Sequence, residues 1–180
     1  MDKLNIYDSN HHSYQIARMI IDNNYKRFAE VGIWQCRTLS RILKSNASDQ
    51  IEEYWAIDNF DHVESGYHRE LSKEVWDSAY AQACGHMIHN QSLKVLRMKS
   101  VDACKLFENE YLDMVFIDAS HDYDAVVEDI KCWEPKIKKG GIISGHDYIK
   151  KKWGVNKAVN DIYKKEEIKE LPGAMWYVNL

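Results

Sequence analysis

Residues 113–148 read DMVFIDASHDYDAVVEDIKCWEPKIKKGGIISGHDY and contain two short apolar runs. The first run, 114–117, ends at Asp118, and the second leads through Ser-Gly into His146 and Asp147. Apolar residues between the two runs recur at helical spacing, which predicts a strand–helix–strand unit with parallel strands. Open α/β sheets bind their ligands at the carboxyl ends of such strands, so we expect these polar residues to share one face.

The same alternation of strands and helices continues on both sides of this unit. Short apolar runs predict strands at 27–32, 54–57, 93–96, 114–117 and 141–143, followed by a hairpin of 167–171 and 175–180 around Pro172-Gly173. Helical spacing predicts helices at 12–24, 38–46, 67–90, 101–106, 122–133 and 154–163. The pattern indicates one three-layer α/β domain over residues 1–180, with a mostly parallel sheet.

Composition and charge restrict the class of protein. The chain has 180 residues, of which 45% are hydrophobic and 29% charged, as in an ordinary globular domain. A net charge of −4 disfavours nonspecific nucleic-acid binding, and no apolar run approaches the roughly 20 residues that cross a bilayer. The N-terminal stretch has no apolar signal segment, and four separated cysteines predict reduced core thiols, so we expect a cytoplasmic protein.

One glycine turn follows the first predicted strand, at Glu30-Val31-Gly32. A dinucleotide site would need three glycines and would be repelled by the acid, which suits a positively charged ligand such as the ammonium of S-adenosylmethionine. Asp58, at the end of the second strand, lies about 20 residues or a little more beyond the turn, where a βαβ site binds ribose hydroxyls. Alone, Asp58 fits a cap of the strand–loop junction equally well, and with Glu30 and Gly32 the ribose role is favoured.

The ends of the fourth and fifth strands offer ligands for a cation. Asp118, His146 and Asp147 could converge on one divalent ion. Two carboxylates suit Mg²⁺, whereas an imidazole shifts the preference toward manganese, iron or zinc. The alternatives are a packed, hydrogen-bonded ring for His146 and a loop cap for Asp147.

His121 follows Asp118 by three residues and could accept a proton from a substrate hydroxyl. Its alternative role is the N-cap of the next helix, which Asp122 could equally fill. No chemistry is assigned to four other histidines, because they show no ligand spacing with an acid: His11, His12, His86 and His89.

Three stretches resemble class I S-adenosylmethionine-dependent methyltransferases. AEVGIWQCRTLS, at 29–40, resembles their motif I, and the residues from 116 to 148 resemble the segments after strands 4 and 5 in one small stand-alone branch. That branch is similar to macrolide-sugar O-methyltransferases and cephalosporin-hydroxylase-like proteins. The residues at 154–163 match its last helix, so the resemblance covers most of the chain from about residue 26 onward.

This resemblance implies a Rossmann-like, three-layer fold whose seven-stranded sheet has the order 3-2-1-4-5-7-6, with strand 7 antiparallel. It also implies where the cofactor lies, with its ribose on Asp58 and its adenine beside Ser100. The full set of implied cofactor residues is Glu30, Gly32, Trp34, Gln35, Thr38, Asp58, Ser100 and Asp118.

In the metal-dependent members, an acid at the position of Asp118 and an acidic pair at those of His146 and Asp147 hold magnesium, and a histidine at the position of His121 is the base. This chain differs from those members at two positions. Cys36 stands where motif I has its second glycine, and His146 stands where the macrolide enzymes have a glutamate.

The resulting hypothesis is metal-assisted methyl transfer to a hydroxyl of a small, sugar-like acceptor, with S-adenosylmethionine and Mg²⁺ or another divalent cation as cofactors. The expected partner is this small molecule, without nucleic acid or membrane, and a homodimer is one of the allowed assemblies. Two alternatives stay open, namely a non-catalytic nucleoside-binding protein of the same fold and a metal-dependent hydrolase that uses the same face.

Overall fold

The computed structural model describes residue 3 and residues 11–61, 70–149 and 154–180. The loops predicted at 59–66 and 148–153, and the first residues of the helix predicted from 67, fall partly outside these ranges.

Within the described residues, one seven-stranded sheet has the order β3-β2-β1-β4-β5-β7-β6. Its strands are β1 (Arg27–Val31), β2 (Glu53–Asp58), β3 (Leu93–Arg97), β4 (Leu112–Ile117), β5 (Ile137–Gly145), β6 (Lys169–Leu171) and β7 (Met175–Asn179). The first five strands pair in parallel, whereas β7 is antiparallel to both β5 and β6. The predicted fold, strand order and terminal hairpin are therefore confirmed.

The helices also follow the prediction, with shifted ends. They are α1 (His12–Asp22), α2 (Arg37–Leu43), α3 (Lys73–His89), α4 (Ser100–Cys104), α5 (Tyr123–Trp133) and α6 (Gly154–Ile162), with 3-10 turns at Asn46–Asp49 and Glu134–Lys136. Strand β5 begins four residues before its predicted start. The sequence missed these residues because 138–140 are exposed and carry no apolar signal.

Both faces of the sheet are covered, which makes the predicted three layers. Neighbouring residues of β4 point to opposite faces, so that Met114 and Phe116 lie in one core and Val115 and Ile117 in the other. Helices α1, α2 and α3 pack on the first face, and α4, α5 and α6 pack on the second. Burial on both faces explains why β4 is a continuous apolar run.

The close passage of β1 and β4 fixes the relation between two strand ends. The Asp118 amide donates a hydrogen bond of 2.7 Å to the Val31 carbonyl, and the Gly32 amide donates one of 2.8 Å to Ile57. Gly32 has a φ of +92°, and a Cβ there would lie 2.1 Å from the Asp118 carbonyl oxygen. The motif I glycine is therefore required by the chain's own backbone.

One expectation from the sequence is wrong. Cys104 and Cys132, predicted as reduced core thiols, form a disulfide that joins α4 to α5, whereas Cys36 and Cys84 are free. A separation of 28 residues gave no sign of this pairing, which depends on how α4 docks against α5. No helix in the described part of the chain is long and apolar enough to span a membrane.

Replacing Gly32 with alanine is expected to destabilise the fold by about 3 kcal/mol or more, because the new Cβ overlaps backbone and φ is positive. Gly85, inside α3, is the matched control, since a Cβ there meets nothing within 4 Å. Gly85→Ala should stabilise the protein by roughly 0.5–1 kcal/mol through helix propensity. Urea unfolding of both variants measures the difference, and equal midpoints would contradict the backbone clash.

Candidate active site

The polar residues predicted to share one face do lie at one edge of the sheet. Asp118 follows β4, and His146 and Asp147 follow the neighbouring strand β5. The His146 amide donates a hydrogen bond of 3.1 Å to the Ile117 carbonyl, so the two strand ends stay in register as they leave the sheet. Parallel pairing therefore brings together side chains that are about 30 residues apart in sequence.

Asp118, His121 and Asp147 each offer one ligand atom within 4.8 Å of the others, and all three are half-buried. His121 Nε2 lies 2.9 Å from Asp147 Oδ2 and 3.7 Å from Asp118 Oδ1. His146 Nδ1 lies 3.3 Å from Asp147 Oδ2 and 3.6 Å from Asp118 Oδ1. The predicted metal residues are thus adjacent, and the predicted base belongs to the same cluster.

This donor set fits a divalent cation. Two carboxylates and an imidazole can each contribute one ligand while the half-buried edge leaves room for water or substrate oxygens. An imidazole among the donors suits Mn²⁺, Fe²⁺ or Zn²⁺ better than it suits Mg²⁺.

Charge couples the two histidines to the two carboxylates. The Asp118 and Asp147 carboxylates raise the pKa of His121 to about 9, against the effect of burial. Burial lowers the pKa of His146, but Asp147 and Asp118 more than offset it, so that this pKa also rises. The two rings in turn hold the pKa of Asp147 well below its usual range. Without a cation, the His121 ring is therefore protonated at neutral pH.

Glu30, predicted to face the cofactor, is only 1% exposed, and its carboxyl oxygen Oε2 accepts a hydrogen bond from the Tyr54 hydroxyl. Burial raises the pKa of Glu30 to about 8, with a further contribution from the Asp118 and Asp58 charges, while Tyr54 opposes the rise. Glu30 is therefore neutral at pH 7. Its predicted pairing with an ammonium group stays a prediction.

Asp58 caps the glycine turn. Its Oδ2 accepts the amides of Ile33 at 2.8 Å and Trp34 at 2.9 Å, and its Oδ1 accepts the Phe60 amide at 2.8 Å. A carboxylate has about four acceptor positions, so one is left for a ribose hydroxyl. The capping role is observed, and the ribose role stays a prediction compatible with it.

Two turn residues, Trp34 and Cys36, adopt left-handed conformations with φ of 45° and 57°. Trp34 packs edge-on against Trp76 with ring centroids 4.3 Å apart. Cys36 is fully buried, and its Sγ lies 4.0 Å from the Ala79 carbonyl of α3. The thiol therefore packs into the helix layer. Gln35, the other predicted turn contact, lines an open cleft of about 530 Å³ between the turn and α3.

Ser100, predicted to flank the adenine, is the first residue of α4. Its Oγ accepts the indole N–H of Trp133 at 2.8 Å. Asp129 lies in the same network, where burial raises its pKa to about 6 although the Ser100 hydroxyl lowers it. The Ser100 side chain is thus engaged with α5, and its role at the adenine stays a prediction.

His12 is the residue that sequence reasoning missed. Its Nε2 lies 2.7 Å from Thr38 Oγ1, and its ring centroid lies 4.3 Å from that of His146. Burial and the neighbouring His146 and His11 lower the pKa of His12 to about 3, so the ring is neutral. No local signal marks this residue, because its partners at the site, Thr38 and His146, lie 26 and 134 residues away in the chain.

Comparison with known proteins gives a family and a fold. A family model described as a methyltransferase domain matches residues 29–148, and no curated protein sequence matches the chain significantly. The O-methyltransferase NovP shares 18% identity at a TM-score of 0.66, covering 93% of this chain and 77% of that one.

Two further solved structures have similar scores. CalS11, a TDP-rhamnose 3'-O-methyltransferase, shares 18% identity at a TM-score of 0.62, covering 93% of this chain and 77% of its own. PaMTH1 of Podospora anserina, a methyltransferase solved with bound SAH, shares 13% identity at a TM-score of 0.64 with the same coverage. At identities this low, the structural likeness shows a shared fold and nothing more.

Replacing Glu30 with glutamine is expected to remove a pH dependence of stability. Burial raises the pKa of Glu30 in the folded protein from 4.5 to about 8, so Glu30 binds its proton more tightly in the folded than in the unfolded chain. Its contribution to the free energy of unfolding is therefore complete below pH 4.5 and is lost as pH rises through 8. The loss amounts to at most about 5 kcal/mol, at 1.4 kcal/mol per pKa unit. Glutamine keeps an acceptor for Tyr54 and has no charge.

Urea unfolding of both proteins from pH 4.5 to 9 measures this effect. Other titrating groups are common to the two proteins, so they cancel in the difference between wild type and variant. Parallel stability curves over this range would contradict a neutral, buried Glu30.

Proposed function

The chain belongs to the methyltransferase-domain family, as a class I S-adenosylmethionine-dependent methyltransferase, and on this premise we propose that it methylates a hydroxyl of a small, sugar-like acceptor with the help of a divalent cation. One observation carries the proposal. Two carboxylates and a histidine, Asp118, Asp147 and His121, lie within 4.8 Å of one another at the strand ends beside the motif I turn.

The carboxylates of Asp118 and Asp147 are the proposed cation ligands, and the imidazole of His146, whose Nδ1 lies within 3.6 Å of both, completes the protein ligands. A bound cation would orient the acceptor hydroxyl and lower its pKa. The half-buried position of the three residues favours this role, since the carboxylates are desolvated enough to bind firmly and open enough to admit a substrate.

His121 is the proposed proton acceptor. Asp118 and Asp147 hold its proton while their charges are unbalanced. Neutralising those charges would lower the pKa of the ring, which would release its proton to solvent and could then accept the proton of the acceptor hydroxyl. The acceptor oxygen then bonds to the methyl carbon, and the carbon–sulfur bond breaks with its electron pair left on sulfur. The chain supplies mainly orientation and electrostatics for this displacement.

The cofactor is proposed to lie over the turn at 32–38, with its ribose at the remaining acceptor position of Asp58. S-adenosylmethionine supplies an electrophilic methyl group on its sulfonium. Asp118 borders both halves of this site because its backbone is joined to the end of β1. The sugar-like acceptor is supported by the name of CalS11, a TDP-rhamnose methyltransferase.

The competing function is a non-catalytic protein of the same fold, which Cys36 in place of a motif I glycine would favour if its side chain entered the cofactor site. The packing of Cys36 against α3 supports catalysis, because the thiol occupies the helix layer. A hydrolase that uses only the metal cluster would leave the motif I turn and Asp58 without a role.

Asp118→Asn is expected to reduce methyl transfer at least 100-fold, because the change removes a cation ligand and one of the two charges that act on His121. Transfer of labelled methyl from S-adenosylmethionine to a panel of nucleotide sugars and polyols measures it. Asp124→Asn is the matched control, since Asp124 is exposed on the first turn of α5. Full activity in Asp118→Asn would contradict the mechanism.

Calorimetry with S-adenosylhomocysteine separates the two candidate functions. The wild type is expected to bind it, since the motif I turn and Asp58 form the proposed cofactor site. Failure of the wild type to bind it at millimolar concentration would exclude the methyltransferase role.

A further inference from the structure

His12 touches three elements that carry the proposed site. It is the first residue of α1, and its ring stacks on Phe116 of β4 with centroids 5.7 Å apart and planes inclined by 20°. The same ring meets His146 after β5 at 4.3 Å, and its Nε2 meets Thr38 Oγ1 in the first turn of α2 at 2.7 Å. One side chain therefore joins the cation half of the site to the cofactor half.

The orientation of the His146 ring depends on such packing. The terminal torsion of a histidine is broad, so the ring is aimed by whatever lies against its face. His146 Nδ1 points at the cluster, 3.3 Å from Asp147 and 3.6 Å from Asp118. The His12 ring packs against the His146 ring with centroids 4.3 Å apart, and this contact restricts the turning of the His146 ring away from the two carboxylates.

Thr38 depends on the same residue. It is buried, with 7% of its surface exposed, and its hydroxyl makes the hydrogen bond to His12 Nε2. It lies two residues after Cys36, where the left-handed turn passes into α2. Holding this hydroxyl therefore fixes the place where the motif I turn enters the helix.

We propose that His12 is a positioning residue, whose ring orients His146 toward Asp118 and Asp147 while its Nε2 holds Thr38 and the motif I turn. The inference rests on the proposed function, because it assigns a cation to one neighbour and the cofactor to the other. Only a side chain with both a flat ring and a polar edge atom serves both contacts. Groups one layer behind metal ligands commonly control their orientation in this way.

Two substitutions separate the two contacts. His12→Phe keeps the ring against Phe116 and His146 and loses the bond to Thr38, whereas His12→Gln keeps a polar group for Thr38 and loses the ring. In His12→Phe we expect the affinity for S-adenosylhomocysteine to fall about fivefold, the equivalent of one hydrogen bond, with Mn²⁺ binding within twofold of wild type. In His12→Gln we expect Mn²⁺ affinity to fall about tenfold, with S-adenosylhomocysteine binding within twofold.

The measurements are isothermal titrations of S-adenosylhomocysteine, and of Mn²⁺ alone, on the full chain. Thr38→Val removes the other partner of the hydrogen bond and should lose as much affinity for S-adenosylhomocysteine as His12→Phe. The double variant, His12→Phe with Thr38→Val, should lose no more of this affinity than either single variant. His89→Gln is the control, because His89 is an exposed histidine at the end of α3.

The outcomes are distinguishable. The opposite pattern of losses in the two His12 variants supports positioning, since a purely structural role would weaken both ligands together. Equal losses in both variants, or binding like that of wild type, overturn the positioning role and leave the methyltransferase proposal intact. A wild-type protein that binds neither ligand overturns the proposed function and this inference with it.

Discussion

The backbone contact between the ends of β1 and β4 is the constraint on which the site depends. The Asp118 amide bonds to the Val31 carbonyl, and the lack of a side chain at Gly32 lets the two strands pass this closely. Strand β5 is tied to β4 in turn through His146. These two hydrogen bonds bring the motif I turn and the carboxylates of Asp118 and Asp147 to one edge of the sheet. The charged side chains there act on one another.

Those charges give acidic residues at this edge different states. Asp147 is partly exposed and faces two imidazoles, so it stays ionised. Glu30 lies on β1, two strands from β5, where it is buried next to Tyr54, and burial keeps it neutral at pH 7. Asp58 is satisfied by backbone amides of the turn. Three carboxyl groups in one region thus serve as the partner of two imidazoles, a buried hydrogen-bond acceptor and a cap.

Most of the fold could be predicted from the sequence. The apolar run before Asp118 and the helical spacing of α5 are local patterns, and parallel pairing leads from them to the shared edge. The same reasoning placed Asp118, His121, His146 and Asp147 together, as the structure shows. It missed the early start of β5, because residues 138–140 are exposed and give no apolar signal.

The sequence by itself therefore determined the order of elements and the residues at the strand ends, since both follow from periodicity and from the direction of the strands. Only the tertiary structure decided that His12 lies between Thr38 and His146, that Cys104 bonds to Cys132, and that Glu30 is buried under Tyr54. The physical reason is that these contacts join residues 24 to 134 positions apart, and their proximity arises from how the helices dock on the sheet.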